Sequence, residues 1–381
     1  VDETGIYRLT SEDLRKKWGI DLGDVDVRNL HLRTHDTEVP MYIHGGADGS
    51  FDRGDYIEFL GLDAQDRYTH WNVYWLSVER ERGMRVSEID ATPDDPTATS
   101  VPVFRSKIHF EENLLTSNLE HIHPEDVSSD DKHAWFEALD FWYWNGIKNS
   151  SDFNEMNLEF PLYDLARSFV QPKIRVVLQG GAPTQHEILT SVNGVRIDNA
   201  EWRRQDTTTL EKTLRVWDNF KDAVKGEQNT LTLARVDTRA EDDTTRYPYH
   251  VYINSFDVEY TRLLKVVNDY LEFSSPVSND PYAVRKRRRL EYTVQTFLAP
   301  EVEVFEYDGQ GLVSKLKNPA ISRVDLDLAE RDRLRAIFRA QAAEHDEDND
   351  KLHINIPRVA YDATFQTPDT HDAQFIAVSS A

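Results

Sequence analysis

His186-Glu187-Ile188-Leu189-Thr190-Ser191-Val192-Asn193-Gly194-Val195-Arg196-Ile197 reads as two short strands with their turn written between them. Residues of one type recur at every second position, which places them on one face of a pleated strand. Asn193-Gly194 tolerates the positive φ angles of a two-residue type I′ turn, so the strands fold back as an antiparallel hairpin. Outward from this hairpin the same grammar continues. Lys173 to Gln179 precedes it, and Asn229 to Val236 and Tyr249 to Tyr260 follow it. Further on, Arg289 to Phe297 and Glu301 to Tyr307 alternate, and Asp308-Gly309 offers a second hairpin turn into Leu312 to Leu316. The expected fold class is mainly β, with sheets packed on sheets.

Helices are few. One is expected from Thr10, which can cap it with Asp13 at the third helical position and Gly19 to stop it. A second is expected near 328–343, where Asp327 caps, Glu330 completes the box, and Leu334, Ile337, Phe338 and Gln341 follow helical spacing. Its apolar stripe is narrow, which suits a surface helix. Two composition breaks suggest boundaries: Ala91 to Ser100, with two prolines and no bulky apolar residue, reads as a linker or long loop, and Ser274 to Pro281 is a weaker break. No fixed-period repeat is present.

The 381 residues, 39% of them hydrophobic, can bury two or three domain cores. With 68 acidic against 44 basic residues the formal charge is −24, which repels nucleic acid and anionic membrane surfaces and favours a cation or cationic partner. Only 14 of the basic residues are lysine, a balance that keeps a surface hydrated in salt. The absence of cysteine removes thiol nucleophiles, thiolate metal sites and disulfides. No run approaches the roughly 20 apolar residues of a membrane span.

Local chemistry is sparse. Gly45 to Asp55 places Asp48, Asp52 and Asp55 in a Gly-rich loop that suits a hard cation such as calcium. The EF-hand register fails there, because Arg53 stands where glycine is needed and Phe59 where the bidentate acid belongs; a hairpin loop with Asx-turns is the competing reading. His121 and His123, with Asp126 and His133 nearby, have the spacing of some metal sites and equally suit a solvated loop before Pro124. Trp135, Phe136, Phe141, Trp142, Tyr143 and Trp144 could form a platform for sugar rings, although alternation favours burying half of them between sheets. Arg285-Lys286-Arg287-Arg288-Arg289 is a basic run in an acidic chain, either a solvated loop or a docking or cleavage segment. No nucleophile elbow, Walker loop, dinucleotide fingerprint or H-E-x-x-H motif occurs.

Longer strings carry a family resemblance. Gly5-Ile6-Tyr7-Arg8-Leu9, Asn29-Leu30-His31-Leu32, Glu38-Val39-Pro40, Gly54-Asp55-Tyr56-Ile57-Glu58-Phe59-Leu60-Gly61 and Asn72-Val73-Tyr74-Trp75-Leu76 resemble, in order and spacing, the opening domain of the exported gingipain-like (C25) cysteine peptidases. His109-Phe110-Glu111-Glu112-Asn113, Phe141-Trp142-Tyr143-Trp144, Val192-Asn193-Gly194, Gly226 to Thr230 and Phe256 to Arg262 resemble the β-sandwich domain that follows. The likeness spans Gly5 to Phe273 and points to the sortase-like members of the type IX secretion pathway.

It implies an N-terminal α+β or β domain over 1–98, an antiparallel jelly-roll-like β-sandwich over 99–273, a further β-rich region over 274–371 with the late helix, and over 372–381 the start of a following catalytic domain. Asp372 to Val378 is similar to the first strand of the family's caspase-like domain and is expected here to lack its natural strand partners. The resemblance further implies a non-catalytic region of a secreted or cell-surface peptidase that scaffolds, docks or restrains a caspase-like domain in cis, with a protein substrate as possible partner. The family's catalytic His and Cys would lie beyond Ala381. A free-standing carbohydrate-binding β-sandwich module is the alternative, and a glycoside hydrolase, which needs two acids facing a cleft, is a third class.

Overall fold

A computed structural model describes residues 1–64, 69, 71–116, 142–148, 154–166, 170–181, 185–214, 228–236, 250–276, 289–345, 356–368 and 373–379. The chain divides into two compact units, Arg105–Leu263 and a second made of Val1–Phe104 with Leu264–Ala381. Both are mainly β, as the alternation requires.

In the Arg105–Leu263 unit the deciding hairpin forms as read. Asn193 and Gly194 take φ of 49° and 77°, Val192 pairs with Val195, and the Thr230 amide donates to the Asn193 side chain at 2.8 Å. The Gln185–Val192 strand buries every second residue, His186, Ile188, Thr190 and Val192. It lies in a four-stranded sheet ordered Glu155–Phe160, Asn229–Arg235, Gln185–Val192, Val195–Arg203. A five-stranded sheet runs Asn145–Lys148, His250–Leu263, Lys173–Gly180, Thr207–Thr213, with Val103–Glu111 also paired to His250–Leu263. Ile174, Val176 and Leu178 from one sheet and Ile188, Leu231 and Leu233 from the other meet in one core, together with Phe256, Val258 and Tyr260. That is the sandwich expected from period-2 strands with one buried face.

The other unit contains two small sheets and a second sandwich. Gly5–Thr10, Tyr56–Gly61 and Tyr42–His44 form one small sheet; Thr37–Glu38, Leu30–Thr34 and Tyr74–Val78 form the other. The sandwich pairs a five-stranded sheet, ordered Tyr270–Ser274, Gln374–Ser379, Val302–Tyr307, Leu312–Lys317, Ser87–Asp90, with a four-stranded one, ordered Ala320–Asp325, Val359–Thr367, Leu290–Phe297, Thr99–Val101. Its core stacks Phe273, Tyr292, Phe365 and Phe375.

The Pro-rich stretch from Ala91 to Ser100 is a tethered loop as far as Ala98, with Thr99 and Ser100 already in a strand. Ala91 is fully buried, Gln366 exchanges side-chain hydrogen bonds with the Asp95 backbone, and the flanking Ser87–Asp90 and Thr99–Val101 strands each enter one sheet of the sandwich in parallel pairing. Local composition carries no trace of these long-range bonds. The Asp308-Gly309 turn forms with Gly309 at φ 84°, and the Asp308 carboxylate accepts the amides of Gln310 and Gly311.

Both expected helices form. Ser11–Trp18 is capped by Thr10, whose hydroxyl accepts the Asp13 amide at 3.0 Å and donates to its carboxylate at 2.6 Å. Gly19, at φ 67°, ends it, with Gly19 and Ile20 amides bonded back to Arg15 and Leu14 carbonyls. Leu328–His345 starts with the Glu330 amide on the Asp327 carboxylate at 2.8 Å and buries Leu334 and Ile337.

One expectation is corrected. Asp372 to Val378 was expected to lack strand partners; instead Gln374–Ser379 is an interior strand paired with Tyr270–Ser274 on one side and Val302–Tyr307 on the other, and Phe375, Ile376 and Ala377 are buried. The reason is packing: its apolar faces fill both sides of a sheet that would otherwise be split. Phe375→Ala is therefore expected to cost about 3–5 kcal/mol, the range for truncating a buried aromatic. Chemical denaturation would read this as a lower midpoint, and an unchanged midpoint would contradict the interior placement.

Candidate functional site

The most concentrated chemistry among the described residues is a buried ionic quartet in the unit of Val1–Phe104 and Leu264–Ala381. Antiparallel pairing sets Arg8 opposite Glu58 on the first small sheet, while Glu303 and Lys315 stand on adjacent strands of the sandwich. Lys315 Nζ donates to Glu58 Oε2 at 2.8 Å and Glu303 Oε1 at 2.6 Å. Arg8 donates through Nε and Nη2 to Glu58 Oε1 at 2.8 and 2.6 Å, and through Nη2 to Glu303 Oε2. Two cations thus meet two carboxylates, and all four carboxylate oxygens are engaged. The Lys315 ammonium also sits 4.2 Å from the Tyr42 ring centre, and the Arg8 guanidinium 4.3 Å from that of Tyr56.

The Glu58 side chain is fully buried and that of Lys315 6% exposed. Burial pushes the Glu58 carboxyl above its ordinary value, and the neighbouring Glu303 charge adds to this while Lys315 opposes it. Burial, reinforced by Glu88, also pushes the Tyr42 phenol up. Each of the four carboxylate oxygens of the quartet thus already accepts a hydrogen bond from Arg8 or Lys315. Tyr42 and Leu60 of the first small sheet pack around it with Phe305, Leu312 and Ile376 of the sandwich.

A second cluster lies in the Arg105–Leu263 unit. His109 Nδ1 is 2.7 Å from Asp257 Oδ1 and its Nε2 2.9 Å from Glu111 Oε2. Lys107 and Arg175 reach the other Asp257 oxygen at 3.3 and 3.4 Å. Burial disfavours the His109 imidazolium, but the Glu111 and Asp257 carboxylates outweigh it and raise its pKa. Burial likewise disfavours the Asp257 carboxylate, yet hydrogen bonds from His109 and Lys107 hold its pKa below the usual range.

The residues singled out by sequence fare differently. Asp48 accepts the Ser50 amide at 2.9 Å, Asp55 accepts the Asp52 amide at 2.7 Å, and the Asp52 carbonyl accepts the Asp55 amide at 3.1 Å. These are the bonds of a tight loop, in which the Asp55 carboxylate lies so close to Gly45, at φ 84°, that a Cβ there would collide with it. Among the described residues no three or more His, Asp or Glu side chains are grouped to hold a metal ion. His121, His123, Asp126 and His133 lie outside the described residues, as do Trp135, Phe136, Phe141 and Arg285 to Arg288. Of the remaining aromatics, Tyr143 is buried, Trp144 stacks on Phe256, and Trp142 is 51% exposed.

Sequence reading missed an exposed stripe. Asn72, Tyr74 and Leu76 turn inward, the first two through hydrogen bonds with Leu62, so alternation turns Trp71, Val73 and Trp75 outward, with both tryptophans about two-thirds exposed. The signal was the alternation itself, visible in Asn72 to Leu76.

Both units are built around β-sandwiches, and each holds its own charged cluster. Over its whole length the chain resembles dimeric latent PorU from Porphyromonas gingivalis, with a TM-score of 0.56 at 14% sequence identity. It spans 32% of that chain, and at this identity the likeness is one of fold. Partial likenesses to the carbohydrate-binding module CBM36 in complex with calcium and xylotriose (TM-score 0.20, 13% identity, 30% of this chain and 87% of that one) and to CBM35 from Cellvibrio japonicus Abf62 (0.21, 12%, 42% and 97%) carry no argument. No protein-family model matches the chain, and no curated protein matches its sequence. Among the described residues no helix is long and apolar enough to cross a membrane.

Two outcomes follow from the clusters. Lys315→Met strips the cation from Glu58 Oε2 and Glu303 Oε1 and leaves Arg8 alone between two carboxylates, which is expected to cost about 3–5 kcal/mol, while adding Glu58→Gln returns a large part of the loss. Denaturation of the single and double variants reads this, and additive losses would refute a coupled quartet. For His109 the raised folded pKa means a stabilisation fully present below the unfolded value near 6.5 and lost as pH rises through the folded one. Asp257, lowered, stabilises above its unfolded value near 3.8 and fails as pH falls below it. Melting temperature is expected to decline on the alkaline side of this window, and His109→Asn to flatten that decline.

Proposed function

We propose that the chain is the non-catalytic N-terminal region of a secreted or cell-surface gingipain-like cysteine peptidase, which scaffolds, docks or restrains a catalytic domain in cis. The observation that carries the reading is the fold likeness to latent PorU over the whole of this chain, against only 32% of that longer one. PorU is a gingipain-like type IX sortase, the group to which the strings from Gly5 to Phe273 independently point. A chain without cysteine suits a region whose nucleophile lies elsewhere. The quartet suits a scaffold as well: its oxygens are spent on holding sheets together.

The test has two arms. The isolated chain is expected to cleave no peptide substrate, and the longer encoded polypeptide is expected to carry one catalytic Cys and His and to lose activity to a thiol-directed inhibitor. Cleavage by the isolated chain that survives repurification, or a coding sequence that stops after Ala381, would sink the reading.

A further inference from the structure

The Ala320–Asp325 strand is exposed at every one of its six positions. It lies at the end of the four-stranded sheet, with Val359–Thr367 as its one ladder partner among the described residues. Directly opposed residues share a face, so Ile321 stands on the core side beside fully buried Ala363, and Val324 on the other side beside fully buried Ala360. Yet Ile321 and Val324 are 39% and 37% exposed. The strand has no proline and its register is unbroken, so of the devices that blunt a free edge it carries only charge, in Arg323 and Asp325. Its Arg323 and Asp325 face each other at 3.9 Å, which leaves the edge locally neutral.

The position of this edge matters. The Gln374–Ser379 strand finishes beside Val302, with the Ser379 amide on the Asp269 carbonyl. Asp269 also accepts the Leu298 amide at 2.6 Å, just past the Phe297 that pairs with Tyr361. Asp325 pairs with Val359 at that same end of the sandwich. The chain therefore leaves the sandwich at the end to which the free strand runs, where Leu328 is also 67% exposed.

We propose that the Ala320–Asp325 strand is the docking edge for the polypeptide that follows Ala381, which lays an extended segment along it and covers Ile321 and Val324. This rests on the functional reading above, since it takes the catalytic domain as the occupant. A second copy of the chain is the poorer occupant, because each copy brings a charge of −24. Backbone pairing supplies the affinity of such an added strand, and the apolar pair on its two faces sets the register.

Hydrogen exchange of the 1–381 chain and of the longer encoded chain tests it. Amides of Ala320–Asp325 that point away from Val359–Thr367 are expected to exchange at least about tenfold more slowly in the longer chain. Ile321→Lys with Val324→Lys, at partly exposed positions, is expected to lower the melting temperature of 1–381 only slightly and to abolish that protection in the longer chain. A folded downstream domain with unaltered exchange at 320–325 overturns this inference alone. A coding sequence with no downstream domain overturns it together with the functional reading. Protection that appears in 1–381 by itself and grows with protein concentration overturns it in favour of a second copy.

Discussion

A lysine ammonium buried between two glutamates, with an arginine closing the far side, ties the first small sheet to the sandwich in the unit built from both ends of the chain. Taking Lys315 and Glu58 out of water is costly, and their attraction offsets that cost only because Arg8 donates to the other Glu58 oxygen, Glu303 accepts a second Lys315 hydrogen, and the Tyr42 and Tyr56 rings face the cations. An apolar pair would hold the sheets with less penalty. What the quartet adds is register: a slip of one residue turns a charged side chain to the opposite face of its strand and leaves its partners unpaired.

The same unit is closed by two segments distant in sequence. Ser87–Asp90 and Thr99–Val101 extend the two sheets of the sandwich at one edge, while Gln374–Ser379 fills the middle of one of them. Because these pairings join residues 67 to 227 positions apart, they form only after long loops have been closed, and loop closure costs entropy before any contact repays it. A sandwich of this kind is expected to be cooperative, with no part of its core belonging to one end of the chain. The Arg105–Leu263 unit differs, since its core is drawn from within its own residues, 108 to 260.

The charged clusters of both units are paired internally. The carboxylates that looked like cation ligands in sequence, Asp48 and Asp55, hold turn amides. His109 is clamped by Asp257 and Glu111. Among the described residues, the Ala320–Asp325 edge strand and the Trp71, Val73 and Trp75 stripe leave apolar side chains exposed.

The sequence by itself determined what depends on neighbours. The Asn193-Gly194 turn, the Thr10 and Asp327 caps, the Gly19 stop and the alternation of the Gln185–Val192 strand are decided within a few residues by φ preference, hydrogen-bond reach and pleat, and each forms as read. The tertiary structure decided everything that joins remote positions. Nothing in Tyr56 to Gly61 or Leu312 to Lys317 marks Glu58 and Lys315 as partners 257 residues apart. The composition that made Ala91 to Ser100 look like a tether between domains is the same whether its flanks are free or paired. Gln374–Ser379, read as a strand without partners, is apolar on both faces, and a strand of that kind belongs inside whichever sheet the rest of the fold leaves open.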